Sequence, residues 1–219
     1  MIEHILPYGL DVLVVDDNSP DGTGQLADRL HVEKGSRVDV LHRTCKQGLG
    51  PAYVAGFKAA LGAGYDPILQ MDCDFSHNPF YLPDFLNAIQ SADIVLGSRY
   101  VRGGGTVKWG MARRALSRFG SVYAGLLLSL PYPDLTSGFK CFRREALERL
   151  DLDDTLANGY AFNIELTYRA HQLGLKITQV PIVFNNRQIG NSKMSASIIL
   201  EAMLVVWQLK KSAIRLTKA

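Results

Sequence analysis

The feature that most constrains this chain is an alternation of short apolar runs, each of strand length, with segments of helical length and polarity. Residues 11–15 are rich in Val and Leu and read as a buried strand. Ser19-Pro20-Asp21-Gly22 reads as a turn, and Thr23 as the cap of a helix reaching about Val32. Residues 38–41 form a second strand, and Gly48-Leu49-Gly50 leads into an Ala-rich helix that ends near Gly62 or Gly64. Residues 67–71 and 94–96 are further strands, with a helix over 80–89 between them. Strands separated by helices imply an α/β fold, with a mostly parallel sheet covered on both faces. In the second half, 101–110 is a Gly-rich loop and 112–130 a long helix. Residues 138–142 and 177–184 are strand-like, while 162–173 and 195–217 are helices.

The 219 residues suit one domain with a substantial core. A net charge of +3 is too small to argue for nucleic acid. Cys45, Cys73 and Cys141 are scattered and odd in number, which argues against a disulfide framework or a structural zinc site and fits a reducing, cytosolic setting. Residues 1–10 hold no long apolar run, so no signal peptide is expected. The most apolar stretches, 124–130 and 198–209, fall short of the roughly 20 residues that span a bilayer.

Ligands of parallel α/β sheets bind past the carboxyl ends of the strands. Two such ends here are acidic: Asp16-Asp17-Asn18-Ser19-Pro20-Asp21-Gly22 and Asp72-Cys73-Asp74-Phe75-Ser76-His77. Asp, Asn and Gly also favour turns, so either motif alone reads equally as a turn. Two of them at one sheet edge bring carboxylates together, and these repel unless a cation or hydrogen-bond donors compensate. Asp72 and Asp74, one residue apart, suit a hard cation such as Mg²⁺ or Mn²⁺ that also binds substrate phosphate. Cys73 is too soft for that ion, and His77 reads as a loop hydrogen-bonder. Opposite charge comes later, from Arg99, Arg113, Arg114, Arg187 and Lys193. Each is an ordinary surface residue taken singly; grouped among small residues they suit phosphate. The last helix gathers Ser197, Glu201, Gln208, Lys211 and Arg215 on one stripe and is otherwise apolar, so it is either buried or set against lipid or a partner helix.

These stretches occur in one known order. VVDDNSPDGT from Val14, KQGLGPAY from Lys46, MDCDFSHNP from Met71 and GSRYVRGGG from Gly97 are followed by RRALSRFG from Arg113 and DLTSGFKCFRR from Asp134. GYAFNIEL from Gly159 and VPIVFNNRQIGNSKM from Val180 complete the series. The chain resembles the polyprenol-phosphate (dolichol-phosphate) mannosyltransferases, a branch of family 2 of the glycosyltransferases. The resemblance implies a Rossmann-like nucleotide-sugar fold of the GT-A type and a single domain. Residues 1–100 would form the nucleotide-sugar and metal half, 101–194 the acceptor half, and 195–219 a C-terminal amphipathic helix.

It implies GDP-mannose as donor and polyprenyl or dolichyl phosphate as acceptor. By resemblance, Asp16, Asp17, Gly48 and Asp72 bind the nucleotide-sugar, and Asp72, Asp74 and Ser76 hold Mg²⁺ or Mn²⁺. Arg113, Ser117, Arg187 and Lys193 bind acceptor phosphate; Asp74, Arg99 and Arg187 are the catalytic set. It further implies a peripheral protein on the cytosolic face of a membrane, docked by helices 112–130 and 195–217, with a small membrane-spanning partner in some members. The rival readings are a lipid-phosphate glucosyltransferase using UDP-glucose and a truncated, non-catalytic homologue. Family members open with a strand ending in a Pro-Thr-Tyr-Asn-Glu-like motif. None stands upstream of Asp11, so part of the base pocket is expected to be missing from the sequence as written, through a mis-called start or a fragment.

Overall fold

The structure is a computed structural model and describes residues 1–185 and 196–216. Strand β1 (Val12–Asp16) pairs in parallel with β2 (Val38–His42), Val12 opposite Val38 and Asp16 opposite His42. Helix α2 (Thr23–Lys34) crosses between them, and α3 (Leu49–Gly62) carries the chain on to β3 (Ile68–Gln70). The larger sheet has the order β3–β6–β4–β7, built with β4 (Ile94–Ser98), β6 (Lys140–Phe142) and β7 (Ile177–Pro181). β4 and β7 are parallel, whereas β6 runs antiparallel between β3 and β4. A short parallel ladder joins β5 (Gly105–Thr106) to β8 (Val183–Phe184). Helices α1 (Ile2–Ile5), α4 (Leu82–Ala88), α5 (Met111–Leu128), α6 (Arg144–Arg149), α7 (Ala161–Gln172) and α8 (Ala196–Leu216) complete the described chain.

Strand pleating divides the core in two. On one face Ile68, Ile94, Leu96 and Phe142 pack under α3, α5, α7 and α8, with Phe57, Leu128, Phe162, Leu166 and Val206 among their neighbours. On the other, Val95, Cys141, Phe139 and Val180 pack against Leu82, Phe85 and Ile89 of the α4 region and Ile5 of α1. All of β4 and β6 is buried, because helices cover the sheet on both faces. The layering is the expected one, an α/β fold with mostly parallel pairing.

Several local expectations change. Thr23 is the first helical residue of α2 and not its cap; Gly22 holds the cap with φ 84°, and Asp21 Oδ1 accepts from both the Thr23 amide and its hydroxyl. The Gly-rich loop contains β5, and the run 177–184 breaks at Ile182 into β7 and β8. β1 is only half-buried over Val12–Val15 despite its composition. The reason lies in the pairing: among the described strands, β1 pairs on one edge with β2 and β3 on one edge with β6.

Candidate active site

Strand β1 ends on Asp16, which is buried. Its Oδ1 accepts from the Ser19 amide at 3.2 Å, and its Oδ2 lies 3.6 Å from His42 Nδ1. Gly24 sits against it so closely that an added Cβ would stand 2.7 Å from Oδ2. His42 Nε2 also meets Asp28 Oδ1 at 2.8 Å, and that bond, with Asp16, raises its pKa despite some loss of solvent. Together with Asn18, Ser19 and Gln25 these residues line a small polar cavity of about 110 Å³. Asp17 turns the other way, into an ion pair with Arg43.

The loop after β3 is held more tightly. The Asp72 amide donates to His77 Nδ1 at 2.9 Å, and Asp72 Oδ1 accepts from the Tyr53 hydroxyl at 3.0 Å. Asp74 Oδ1 accepts from the Ser76 amide at 3.0 Å and from its hydroxyl at 2.5 Å. Between the carboxylates and Ser76, Phe75 adopts φ 60°, a left-handed conformation uncommon for a bulky residue and often found at functional loops. His4 of α1 props the Phe75 ring edge-on at 5.6 Å. His77 is buried and its pKa is pushed down by that burial, so the ring is neutral. With Nδ1 accepting, the proton sits on Nε2, which has no partner among the described residues. Tyr53 comes from the first turns of α3, entered through Gly48 at φ 113°. A Cβ on Gly48 would lie 2.4 Å from the Asn158 carbonyl, so only glycine fits.

Past β4 the charge changes sign. Arg99 is buried and its guanidinium engages Asp134 twice, Nε to Oδ2 at 2.7 Å and Nη2 to Oδ1 at 2.6 Å. Its amide donates to the same carboxylate, and Nη2 also reaches Thr136 Oγ1 at 2.7 Å. Burial opposes the Arg99 charge, but Asp134 more than offsets it and leaves the pKa above normal. Arg99 borders a cavity of about 540 Å³ with Tyr100, Thr106, Arg114 and Arg118. Arg114 donates to the Thr106 carbonyl, and Arg118 lies 4.8 Å over the Tyr100 ring. An aromatic block joins this cavity to the acidic loop: Trp109 and His77 both meet the Phe184 ring edge-on, at 5.2 and 5.3 Å, and Arg113 stacks 4.1 Å over Trp109.

The chain matches the model of the family "Glycosyl transferase family 2" over residues 2–151. It is a family 2 glycosyltransferase. It is 48% identical over 196 residues to an undecaprenyl-phosphate mannosyltransferase of Micrococcus luteus, covering 90% of this chain and 80% of the relative. It is 46% identical over 206 residues to a polyprenol monophosphomannose synthase of Mycolicibacterium smegmatis, covering 94% and 77%. Among solved structures it resembles glucosyl-3-phosphoglycerate synthase from Mycobacterium tuberculosis in its complex with phosphoglyceric acid, with a TM-score of 0.67 at 18% identity over 94% of this chain and 72% of that one. The complex of the same enzyme with Mn²⁺, uridine diphosphate and glucosyl-3-phosphoglycerate gives 0.65 at 18%, over 95% and 72%. At that identity the likeness fixes the fold, a GT-A-like one.

In this glycosyltransferase the predicted residues separate into three groups. Asp72, Asp74 and Ser76 share one loop, with Ser76 buried and its hydroxyl given to Asp74. Asp16, Asp17 and Gly48 stand at the ends of β1 and the entry of α3. Arg99, Arg113 and Ser117 belong to the β4–α5 side, where the Ser117 hydroxyl accepts from Tyr100 at 2.8 Å. Arg187 and Lys193 lie outside the described residues; the chain leaves toward them from Asn185, whose amide donates to the Ser76 carbonyl at 3.3 Å. Sequence reading missed Tyr53, Asp134 and Arg118. The acid at Asp134 was the available signal, since a carboxylate in an apolar stretch needs a cation.

Beneath the acidic loop lies Lys140, fully buried with no carboxylate in contact among the described residues. Its Nζ donates to the Asn163 carbonyl at 2.5 Å and to Thr167 Oγ1 at 2.9 Å, two bonds that a neutral amine can make. Burial pushes its pKa down from 10.5 to about 7. Between those values the unfolded chain binds the extra proton, so stability rises with pH through this window. Melting curves at pH 7, 8 and 9 are expected to show that rise in the wild type and its loss in Lys140→Met. Parallel pH profiles for the two proteins would contradict it.

Proposed function

We propose that this glycosyltransferase moves mannose from GDP-mannose onto the phosphate of a polyprenyl or dolichyl lipid, with inversion at the sugar C1. What carries the reading is the pair of relatives at 46–48% identity, both named for mannosyl transfer to or synthesis of a polyprenol phosphate sugar and both matched over at least 90% of this chain. Residues 1–100 would bind the donor, 101–194 the acceptor, and 195–219 would serve as the membrane-facing helix.

Asp72 and Asp74 fit Mg²⁺ or Mn²⁺. Both offer hard oxygens, and each has one oxygen already fixed by a neutral donor. No group of three or more His, Cys, Asp or Glu converges among the described residues. A two-carboxylate site still suits such a cation, because a bound diphosphate supplies further oxygens. When bound, the ion would supply Lewis-acid stabilisation to the leaving diphosphate. The acceptor phosphate is an anion at neutral pH and is its own nucleophile. Its oxygen attacks C1, the C1–oxygen bond to the diphosphate breaks, and GDP departs. The chain's task is then to bring two anions together. Arg114 and Arg118, which form no ion pair among the described residues, face the 540 Å³ cavity and suit that task. Arg113, Ser117, Arg187 and Lys193 are assigned to the same acceptor phosphate.

A lipid acceptor requires a membrane surface. No helix is long and apolar enough to cross one among the described residues. Yet α5 exposes Met111, Phe119, Val122 and Leu126, and α8, packed beside it, exposes Leu200, Leu204 and Trp207. The opposite face of α8 is core, through Val205, Val206 and Leu209. Lys211 caps the Trp207 ring at 3.4 Å, and α5 itself carries Arg113, Arg114 and Arg118 between Met111 and Phe119. Apolar faces rimmed by cations suit an anionic lipid interface, and they support reading this protein as peripheral, on the cytosolic leaflet.

The acceptor assignment is tested by titrating GDP and polyprenyl phosphate separately against the wild type and an Arg114→Ala/Arg118→Ala double variant. Each charge-assisted contact is worth about 1.5–3 kcal/mol, so lipid phosphate binding is expected to weaken at least about tenfold. GDP binding is expected to stay within about twofold. Equal losses for both ligands would move these arginines to the donor.

A further inference from the structure

Asp72 is held at two points by residues to which the catalytic reading gives no role. Its carboxylate takes the Tyr53 hydroxyl on Oδ1, and its amide is anchored on His77 Nδ1. Neither side chain can swing freely. The Tyr53 ring lies stacked between Phe57 and Phe162, at 6.1 and 6.2 Å, and is parallel to Phe162 within 1°. The His77 ring stacks on Phe139 at 5.0 Å and meets Phe184 edge-on. Of these four aromatic partners, Phe57, Phe139 and Phe162 are themselves buried core.

We propose that Tyr53 and His77 are positioning residues that clamp Asp72, Tyr53 through the carboxylate and His77 through the backbone, so that Asp72 presents one oxygen to a cation in a fixed direction. The inference rests on the reading that Asp72 and Asp74 hold Mg²⁺ or Mn²⁺. Holding Oδ1 removes the carboxylate's rotation about its last bond. The remaining oxygen then points one way, as a small cation demanding near-octahedral geometry requires. Asp74 receives the same treatment from the Ser76 amide and hydroxyl. Residues that orient metal ligands in this way commonly affect metal affinity about 10–100-fold when replaced.

The probe is Mn²⁺ in the presence of GDP, with free Mn²⁺ read by its paramagnetic resonance signal and folding followed by thermal melting. Tyr53→Phe keeps the ring and its stacking and removes one oxygen. It is expected to weaken Mn²⁺ binding about tenfold with a melting point within about 3 °C of the wild type. His77→Phe keeps the stacking on Phe139 without the acceptor and is expected to lose a similar factor. His77→Asn restores an acceptor near the Nδ1 position and is expected to recover most of the affinity. Asp72→Asn is the reference for loss of the ligand itself. If Asp72→Asn fails to bind while Tyr53→Phe and His77→Phe bind as the wild type does, the clamp is overturned and the cation reading stands. If the wild type binds no Mn²⁺, or Asp72→Asn binds equally well, the cation reading fails and the clamp goes with it.

Discussion

Asp74→Ala is expected to lower metal-dependent transfer by roughly a thousandfold while leaving the protein folded. The factor corresponds to about 4 kcal/mol of charge stabilisation withdrawn from the leaving diphosphate. The structural cost is small by comparison. Asp74 sits in a loop, where it accepts from the Ser76 amide and hydroxyl, two residues away. Leaving the buried Ser76 hydroxyl without that acceptor costs about 1–3 kcal/mol, a fall of several degrees in melting temperature at about 2–4 °C per kcal/mol. Turnover against Mg²⁺ or Mn²⁺ concentration, read beside a melting curve, separates the two effects. A folded Asp74→Ala protein that turns over like the wild type would remove Asp74 from the metal site.

Asp134→Ala is expected to have the opposite profile, with a large loss of stability. Asp134 and Arg99 are both buried, and the carboxylate accepts two guanidinium bonds and the Arg99 amide. Removing it strands a positive charge among Tyr100, Trp109 and Phe184. Breaking one side of a buried pair costs about 3–5 kcal/mol, which lowers the melting temperature by on the order of 10 °C. Asp134→Asn keeps the shape and two acceptor lone pairs and is expected to fall between. A melting point for Asp134→Ala within about 2 °C of the wild type would show that the pair is not held as described.

The contrast between these two carboxylates also shows what the sequence makes legible. Asp72 and Asp74 follow an apolar run at a strand end, a placement that predicts a shared loop and, only together with the second acidic strand end, points to a cation. The alternation of strands and helices gave the layers, because Ile94, Val95 and Leu96 can be buried on alternating faces only if both are covered. Less could be read where a partner lies far along the chain. Arg99 looks in sequence like a free phosphate-binding cation, but Asp134, 35 residues later, engages it. Tyr53 reads as an aromatic on an apolar helix; its bond to Asp72 exists only because α3 packs beside the end of β3. The antiparallel course of β6 was equally hidden, since a three-residue buried strand carries no sign of its direction. The final helix allows two readings, burial or contact with lipid, and only the burial of one face is visible: Val205, Val206 and Leu209 are inside, whereas Leu200, Leu204 and Trp207 are exposed.

The most direct test of mannosyl transfer is to supply the chain with polyprenyl phosphate in vesicles, Mg²⁺ or Mn²⁺, and either radiolabelled GDP-mannose or radiolabelled UDP-glucose, and to measure label extracted into the lipid phase. An acid-labile mannosyl phosphate lipid is expected from GDP-mannose, abolished by chelation and by Asp74→Ala, with little product from UDP-glucose. Preferential transfer from UDP-glucose, or a folded protein that labels no lipid from either donor, would contradict it.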